Sequence, residues 1–84
     1  MGKKSKANMH KPGYYPATKE EMRYASWCIQ NNIKIGLEYA EPHMFKICIN
    51  IKSKVHKDPV IREGIESLQK QYEYYKYYYE KYKK

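Results

Sequence analysis

The sequence predicts an α+β fold in the order α-β-β-α, with a two-stranded antiparallel hairpin packed on two helices. Three observations predict it. A capping-box signature precedes an amphipathic segment, two alternating apolar and polar segments flank a short turn, and a long C-terminal stretch has apolar residues at helical spacing. The 84 residues allow one small domain. A chain of this length buries about 60% of its unfolded surface, so its core is thin.

The excess positive charge lies mostly at the two ends of the chain. Residues 1–16 contain four lysines and no acidic residue, and they show no apolar period, which predicts a disordered basic arm. Residues 17–69 contain eight basic and seven acidic residues, and residues 70–84 contain five basic and two acidic residues. We therefore expect a single domain over residues 17–84 that is nearly neutral except at its C-terminal end.

The first helix is predicted from residue 19 to the pair Asn31 and Asn32. Thr18 and Glu21 have the spacing of a capping box, in which each side chain binds the backbone of the other residue. Asparagine tolerates the left-handed conformation that ends many helices. One face of this helix carries Met22 and Ile29, and the other carries Tyr24 and Trp27. Both faces are partly apolar, so the sequence leaves open which one is buried.

The hairpin is predicted from two alternating segments, 33–39 and 45–52, joined by a five-residue turn that contains Pro42. The side chains expected to face the core are Ile33, Ile35, Leu37, Tyr39, Phe45, Ile47, Ile49 and Ile51. Residues 52–57 are then expected to form a basic connector. Asp58 and Pro59 resemble the start of a helix, because Asp is a favoured N-cap and Pro a favoured first residue.

The second helix is predicted over residues 59–82. Its inner stripe has heptad-like spacing and consists of Ile61, Ile65, Leu68, Tyr72, Tyr75, Tyr79 and Tyr82. Such a helix would be about 36 Å long at 1.5 Å per residue, whereas a seven-residue strand covers about 23 Å. About ten residues are therefore expected to project past the hairpin unless the first helix lies under them. Off the stripe, Tyr74, Tyr77 and Tyr78 are expected to face outward.

No catalytic, metal-binding or cofactor-binding pattern is present. The three histidines have no serine or cysteine at a spacing that indicates nucleophilic catalysis. The cysteines, Cys28 and Cys48, lack C-x-x-C spacing and are expected to be free thiols, and there is no glycine-rich phosphate loop. We therefore expect a protein that is not an enzyme and that takes neither a cofactor nor a metal. No apolar run reaches the roughly 18 residues that cross a membrane.

Two resemblances add to this picture. The order of helix, hairpin, basic connector and helix resembles the double-stranded-RNA-binding domain, although that family has three strands and a lysine cluster at the start of its second helix. Residues 27–35 and 72–82 resemble segments of short, uncharacterised proteins encoded by bacteriophages of gut Bacteroidota. That second resemblance implies a phage origin, hence a protein located in the bacterial cytoplasm or associated with the virion, and it transfers no activity.

The sequence predicts a small module that binds nucleic-acid backbone, single- or double-stranded, with weak sequence preference. Lysines would neutralise phosphates, and exposed aromatic rings would stack on unpaired bases. The candidate binding residues are Lys3, Lys4, Lys6, Lys11, Trp27, Lys52, Lys54, Lys57, Tyr74, Lys76, Tyr77, Tyr78, Lys81, Lys83 and Lys84. Arginine is scarce, which disfavours base readout. The alternative is a protein-interaction module, namely a virion accessory subunit, a host-factor inhibitor or a homodimer, that uses the tyrosine-rich helix.

Overall fold

The computed structural model describes residues 13–83 and has α+β architecture. Its elements follow in the order α1 (Lys19–Gln30), β1 (Ile33–Glu41), β2 (Met44–Ile51), β3 (Lys54–Glu63) and α2 (Gly64–Tyr82). The strands form one antiparallel sheet in the order β1-β2-β3. The α+β class is confirmed, and the sheet has one strand more than the sequence predicted.

The predicted start of α1 is confirmed. The Thr18 side chain accepts a hydrogen bond from the Glu21 backbone N–H at 3.1 Å, and the Glu21 carboxylate accepts one from the Thr18 N–H at 2.9 Å. The helix ends as expected, with Asn31 as its C-cap and Asn32 in the left-handed region at φ 63°. Local chemistry alone determines both ends of this helix.

The basic connector and the helix start at Asp58 and Pro59 were both predicted wrongly, because this segment forms β3. The Asp58 carboxylate accepts the N–H of Val60 at 3.0 Å, as in a turn, and does not cap a helix. Pro59 lies at an irregularity in the pairing of β3 with β2, on an edge strand where a missing N–H is tolerated. Consequently α2 begins at Gly64, five residues later than predicted.

The predicted inward face of the hairpin is confirmed except at Tyr39, which packs edge-on against Phe45 at 6.1 Å but is 39% exposed near the end of β1. Ile33, Ile35, Phe45, Ile47 and Ile49 are buried, and they alternate with exposed or half-buried residues along β1 and β2. The helices pack on this face, and the other face of the sheet is open in the described part of the chain. The fold is therefore a two-layer arrangement with its core between helices and sheet.

The helix α2 lies along the sheet and does not project ten residues past it. Tyr75 is buried in the core, and Tyr79 packs at 4.8 Å from the Tyr24 ring and 5.5 Å from the Trp27 ring of α1. The shorter helix spans about 29 Å at 1.5 Å per residue, close to the length of a nine-residue strand at about 3.3 Å per residue. The predicted overhang disappears because α2 starts later and α1 lies beneath its last turns.

The buried face of α1 is the one that carries Tyr24 and Cys28, while Met22 and Ile29 remain 52% and 47% exposed. Just before the helix, Tyr15 stacks on Tyr72 at 5.6 Å. The end of the basic arm is thus held against α2, and the rest of the arm lies outside the described residues.

The order of one helix, three antiparallel strands and one helix is the order that the double-stranded-RNA-binding domain has. The lysine cluster of that family does not accompany it, because α2 opens with Gly64, Ile65 and Glu66 after Glu63. The element order therefore says nothing about binding a duplex here, and function has to be argued from the surface.

Candidate nucleic-acid interface

Three chain segments meet at one end of the molecule. The end of α1 leads into β1 through Asn31 and Asn32, and the β2–β3 turn consists of Lys52 and Ser53. The Lys52 backbone N–H donates to the Asn32 carbonyl at 3.0 Å, which joins the first two segments. The third segment, the C-terminus of α2, reaches the same place through Tyr82. We call this region the turn end.

A cleft of about 290 Å³ opens at the turn end. It is lined by Trp27, Asn31, Ile33, Ile51, Lys52 and Tyr82, none of which is acidic. Its volume is close to the lower limit of about 300 Å³ for ligand pockets, so it suits one planar ring better than a large cofactor. We call it the aromatic cleft.

Both aromatic side chains of this cleft are held by neighbours. Trp27 packs edge-on against Tyr79, with ring centroids 5.5 Å apart. Tyr82 stacks on Tyr78 at 6.0 Å, and Tyr78 in turn stacks on Tyr74 at 6.4 Å, because residues four apart share a helix face. Tyr82 keeps 50% of its surface exposed, so it presents a positioned ring to solvent.

A second, polar concavity adjoins the aromatic cleft and shares Lys52 with it. This polar groove has a volume of about 430 Å³ and is lined by Asn32, Lys34, Asn50, Lys52 and Ser53. Lys34 and Asn50 are cross-strand partners whose side chains lie on the open face of the sheet. The groove therefore combines two ammonium groups with amide and hydroxyl groups. All of these can donate hydrogen bonds to an anion.

Further lysines surround the turn end. Lys54 begins β3 next to the turn. Lys81 lies 5.5 Å from the centroid of the Tyr82 ring, and the Lys83 ammonium donates to the Tyr79 hydroxyl at 3.1 Å. Lys34, Lys52 and Lys54 form no ion pair with any described residue. Their charges are therefore available to an anionic partner.

Acidic residues concentrate at the opposite end of the sheet. Glu41 ends β1, Glu63 ends β3, and Glu66 lies in the first turn of α2. The Gly64 N–H donates to the His43 carbonyl at 3.1 Å, which joins these segments away from the turn end. Glu80, near the end of α2, lies beside the turn end, but five described lysines lie there as well, so positive charge is in excess at that end.

The structure brings together five of the predicted binding residues, namely Trp27, Lys52, Lys54, Lys81 and Lys83. It places others elsewhere. Lys57 lies on the open sheet face in an ion pair with Glu38 at 3.1 Å, and Lys76 is exposed on α2. Tyr77 is 53% exposed, away from the lining of the aromatic cleft. Lys3, Lys4, Lys6, Lys11 and Lys84 lie outside the described residues.

The expectation that Tyr74 and Tyr78 face outward is wrong, because both are half-buried against the core. The Tyr74 hydroxyl donates to the Asp58 carboxylate at 2.8 Å. Burial, and then this hydrogen bond to the carboxylate, raise the pKa of Tyr74 to about 12. The heptad-like spacing placed Tyr74 outside the buried stripe because the sequence did not predict β3, which supplies Asp58.

Sequence reasoning did not include Asn32, Lys34, Asn50, Ser53 or Tyr82 among the binding residues. Lys34 and Asn50 alternate with the residues predicted to face the core, but nothing in a single sequence shows that they are cross-strand partners. Tyr82 was assigned to the inner stripe. The Lys52-Ser53 pair gave no usable signal, because it is not one of the glycine-containing pairs typical of two-residue hairpin turns and residues 54–63 do not alternate.

Other chemistry is not indicated within residues 13–83. No group of three or more His, Cys, Asp or Glu side chains there is arranged to hold a metal ion. Cys28 is buried and Cys48 half-buried, both as free thiols, as predicted. In the same part of the chain, neither helix combines the length and the apolar character that crossing a membrane requires.

The chain matches no protein-family model, no curated protein and no solved structure. The function of the protein therefore has to be inferred from the geometry of the turn end.

Proposed function

We propose that this protein is a small non-enzymatic module, of phage origin, that binds single-stranded nucleic acid at its turn end without sharp sequence preference. The observation that carries the proposal is the aromatic cleft, where Trp27, Tyr82 and Lys52 meet at one surface. Aromatic rings stack on any base, and lysines neutralise the backbone, so this combination is typical of sequence-tolerant binding to single strands.

Two features favour single strands over duplexes. A concave site with a ring at its wall needs an unpaired base to enter it, since paired bases stack on each other. The start of α2 carries Glu63 and Glu66 and no lysine, so it offers no cation to the phosphates of a duplex. Duplex binding is expected to be weaker and entirely electrostatic.

Fluorescence tests the proposal directly, because Trp27 is the only tryptophan of the chain. A short oligothymidylate is titrated into the protein at two salt concentrations, with a duplex of the same length in parallel. We expect quenching by the single strand that weakens as salt rises. An absence of salt-sensitive binding would overturn the proposal.

Two matched pairs of variants localise the site. Tyr82→Ala removes a ring of the aromatic cleft and is expected to cost about 1–3 kcal/mol of binding. Tyr77→Ala removes an equally exposed tyrosine of α2 and should have no effect.

Lys52→Gln is expected to reduce the magnitude of the logarithmic salt slope by about 0.7. Lys46→Gln, about 20 Å away along β2 at 3.3 Å per residue, should not reduce it. Equal effects within either pair would exclude the turn end.

The exposed face of α1 favours homodimerisation as a second candidate. Met22 and Ile29 lie in a surface groove with Tyr72, and Met22 and Ile29 are 52% and 47% exposed. A two-fold axis would bury this apolar groove against the same groove of a second copy. Light scattering tests this candidate: a dimer that Met22→Lys converts to a monomer supports it, and a monomer at all concentrations overturns it.

A further inference from the structure

The polar groove has the composition of an anion site. Lys34 and Lys52 contribute two ammonium groups, Ser53 contributes a hydroxyl, and the two asparagines contribute amide N–H donors. No acidic side chain is among its lining residues. Charge-assisted hydrogen bonds to oxyanions are about twice as strong as neutral ones, so these groups favour a phosphate over a neutral polar ligand.

The backbone of the groove is unusual as well. Four non-glycine residues of the described chain have positive φ, and three of them, Asn32, Lys52 and Ser53, line this groove. A two-residue hairpin turn of this kind is normally built from Asn-Gly, for which such angles cost little. This chain instead keeps the ammonium and hydroxyl side chains at these positions. Strain retained in this way clusters at binding sites.

The groove and the aromatic cleft lie on opposite faces of the sheet and meet around its end at Lys52, which defines a path from one to the other. Ile33 and Ile51 line the cleft, and their neighbours Lys34 and Asn50 line the groove, because successive strand residues point to opposite faces. Lys52 belongs to both. A base in the cleft would therefore have its phosphate directed around the turn into the groove.

This path is short. Beyond it, on the open sheet face, Lys57 is paired with Glu38, and Lys46 lies directly across from Glu38. Within residues 13–83, no row of unpaired lysines continues from the groove along that face. The turn end therefore accommodates about one nucleotide, and the two ammonium groups of the polar groove match the charge of a terminal phosphate, about −2, better than the single charge of an internal phosphodiester.

We infer that the polar groove is a phosphate subsite, and that the turn end recognises the phosphorylated terminus of a single strand. This inference rests on the proposed function and names its ligand more closely. The strand end would place its terminal base in the aromatic cleft and its phosphate between Lys34 and Lys52.

Three oligothymidylates of equal length test the inference at one salt concentration: one with a 5′-phosphate, one with a 3′-phosphate and one with neither. The first two carry equal charge, so each controls for the other. We expect one of them to bind about tenfold more tightly than the unphosphorylated strand, as an added charged hydrogen bond implies. Equal binding of all three strands, or equal enhancement by both phosphates, would overturn the inference and leave the proposed function standing.

Lys34→Gln provides the matched variant. It should abolish the preference, so that the phosphorylated and unphosphorylated strands bind this variant equally, whereas Lys46→Gln should retain the preference. Inorganic phosphate alone is the second probe: the backbone amide signals of Asn32 and Ser53 should shift in the parent protein and not in Lys34→Gln. Failure of phosphate to shift them would exclude the subsite. Phosphate shifts without binding of any strand would support the subsite and refute the proposed function.

Discussion

The Tyr75 hydroxyl lies 3.2 Å from both the backbone nitrogen and the carbonyl oxygen of Ile35. It accepts a hydrogen bond from the N–H and donates one to the carbonyl, as a neighbouring strand would. Gln71 also donates to the same carbonyl. Unpaired strand edges are templates for association. At this position α2 supplies the hydrogen-bond partners of the β1 edge, so the structure disfavours a dimer in which two β1 edges pair.

We predict that Tyr75→Phe lowers the free energy of unfolding by about 1–3 kcal/mol, because it leaves the buried N–H of Ile35 without its partner while keeping the ring. Chemical denaturation measures this change, and size-exclusion chromatography at rising concentration should show association of the variant. Tyr79→Phe is the control, since within residues 13–83 the hydroxyl it removes hydrogen-bonds only to the exposed Lys83. Equal stability of the two variants would refute the edge-protection role of Tyr75.

A second prediction concerns Asp58, whose side chain is only 12% exposed. Its carboxylate accepts hydrogen bonds from the Val60 N–H, the Tyr74 hydroxyl and Arg62. These hydrogen bonds hold the pKa of Asp58 below its ordinary value, and the one from the Val60 N–H has the largest effect. The stabilisation is therefore present above the ordinary aspartate pKa of about 3.9 and is lost as pH falls through the lowered pKa.

Asp58→Asn should accordingly lower the free energy of unfolding by about 1–3 kcal/mol at neutral pH. The difference from the parent protein should shrink as the pH falls below about 4, because the parent then loses the same charge. Urea denaturation at neutral and acidic pH measures both values. Glu41→Gln, which removes an exposed carboxylate at the end of β1, should change neither value. A difference that stays constant with pH would contradict the ionised role of Asp58.

The two cysteines should differ in reactivity. Cys28 is fully buried, its thiol donates to the Tyr75 carbonyl at 3.3 Å, and burial raises its pKa to about 11. The thiolate is the reactive form, so we expect iodoacetamide at mildly alkaline pH to label only the half-buried Cys48 in the folded protein. Mass spectrometry should show one label before denaturation and two after it.

Cys48→Ser is the control for this labelling, since it should leave the folded protein unlabelled. The same pKa shift also sets an alkaline limit on stability. The contribution of the neutral Cys28 thiol is fully present below its ordinary pKa and is lost as pH rises toward about 11. Rapid labelling of Cys28 in the native state would show that this part of the core opens readily.

The sequence predicted the parts of the fold that local chemistry determines. The capping box of α1, its asparagine end and the alternating faces of β1 and β2 depend on neighbouring residues, and all were correct. β3 was missed because Asp58 and Pro59 satisfy the rules for a helix start and for a turn at an edge strand equally well. Only pairing with β2 distinguishes the two, and pairing is a long-range property.

The candidate site was predicted only in part for the same reason. Counting lysines and aromatic residues identified Trp27 and Lys52, but the partners that complete the surface come from separate segments. Tyr82 reaches the cleft only because α2 begins at Gly64 and ends beside the β2–β3 turn. Lys34 joins the groove through its cross-strand position opposite Asn50. Composition can indicate a class of partner, whereas the location of a site depends on the register of the strands.

The last prediction separates stability from binding at the β2–β3 turn. Replacing Lys52 with Asn and Ser53 with Gly installs the turn sequence preferred at positive φ, so we expect the free energy of unfolding to rise by about 1 kcal/mol. Binding of the oligothymidylate should weaken, because the ammonium and hydroxyl groups are lost. His43→Gly, at φ 63° in the β1–β2 turn, is the matched control: it should raise stability similarly and leave binding unchanged. An Asn-Gly variant that binds as tightly as the parent would exclude the turn from the site.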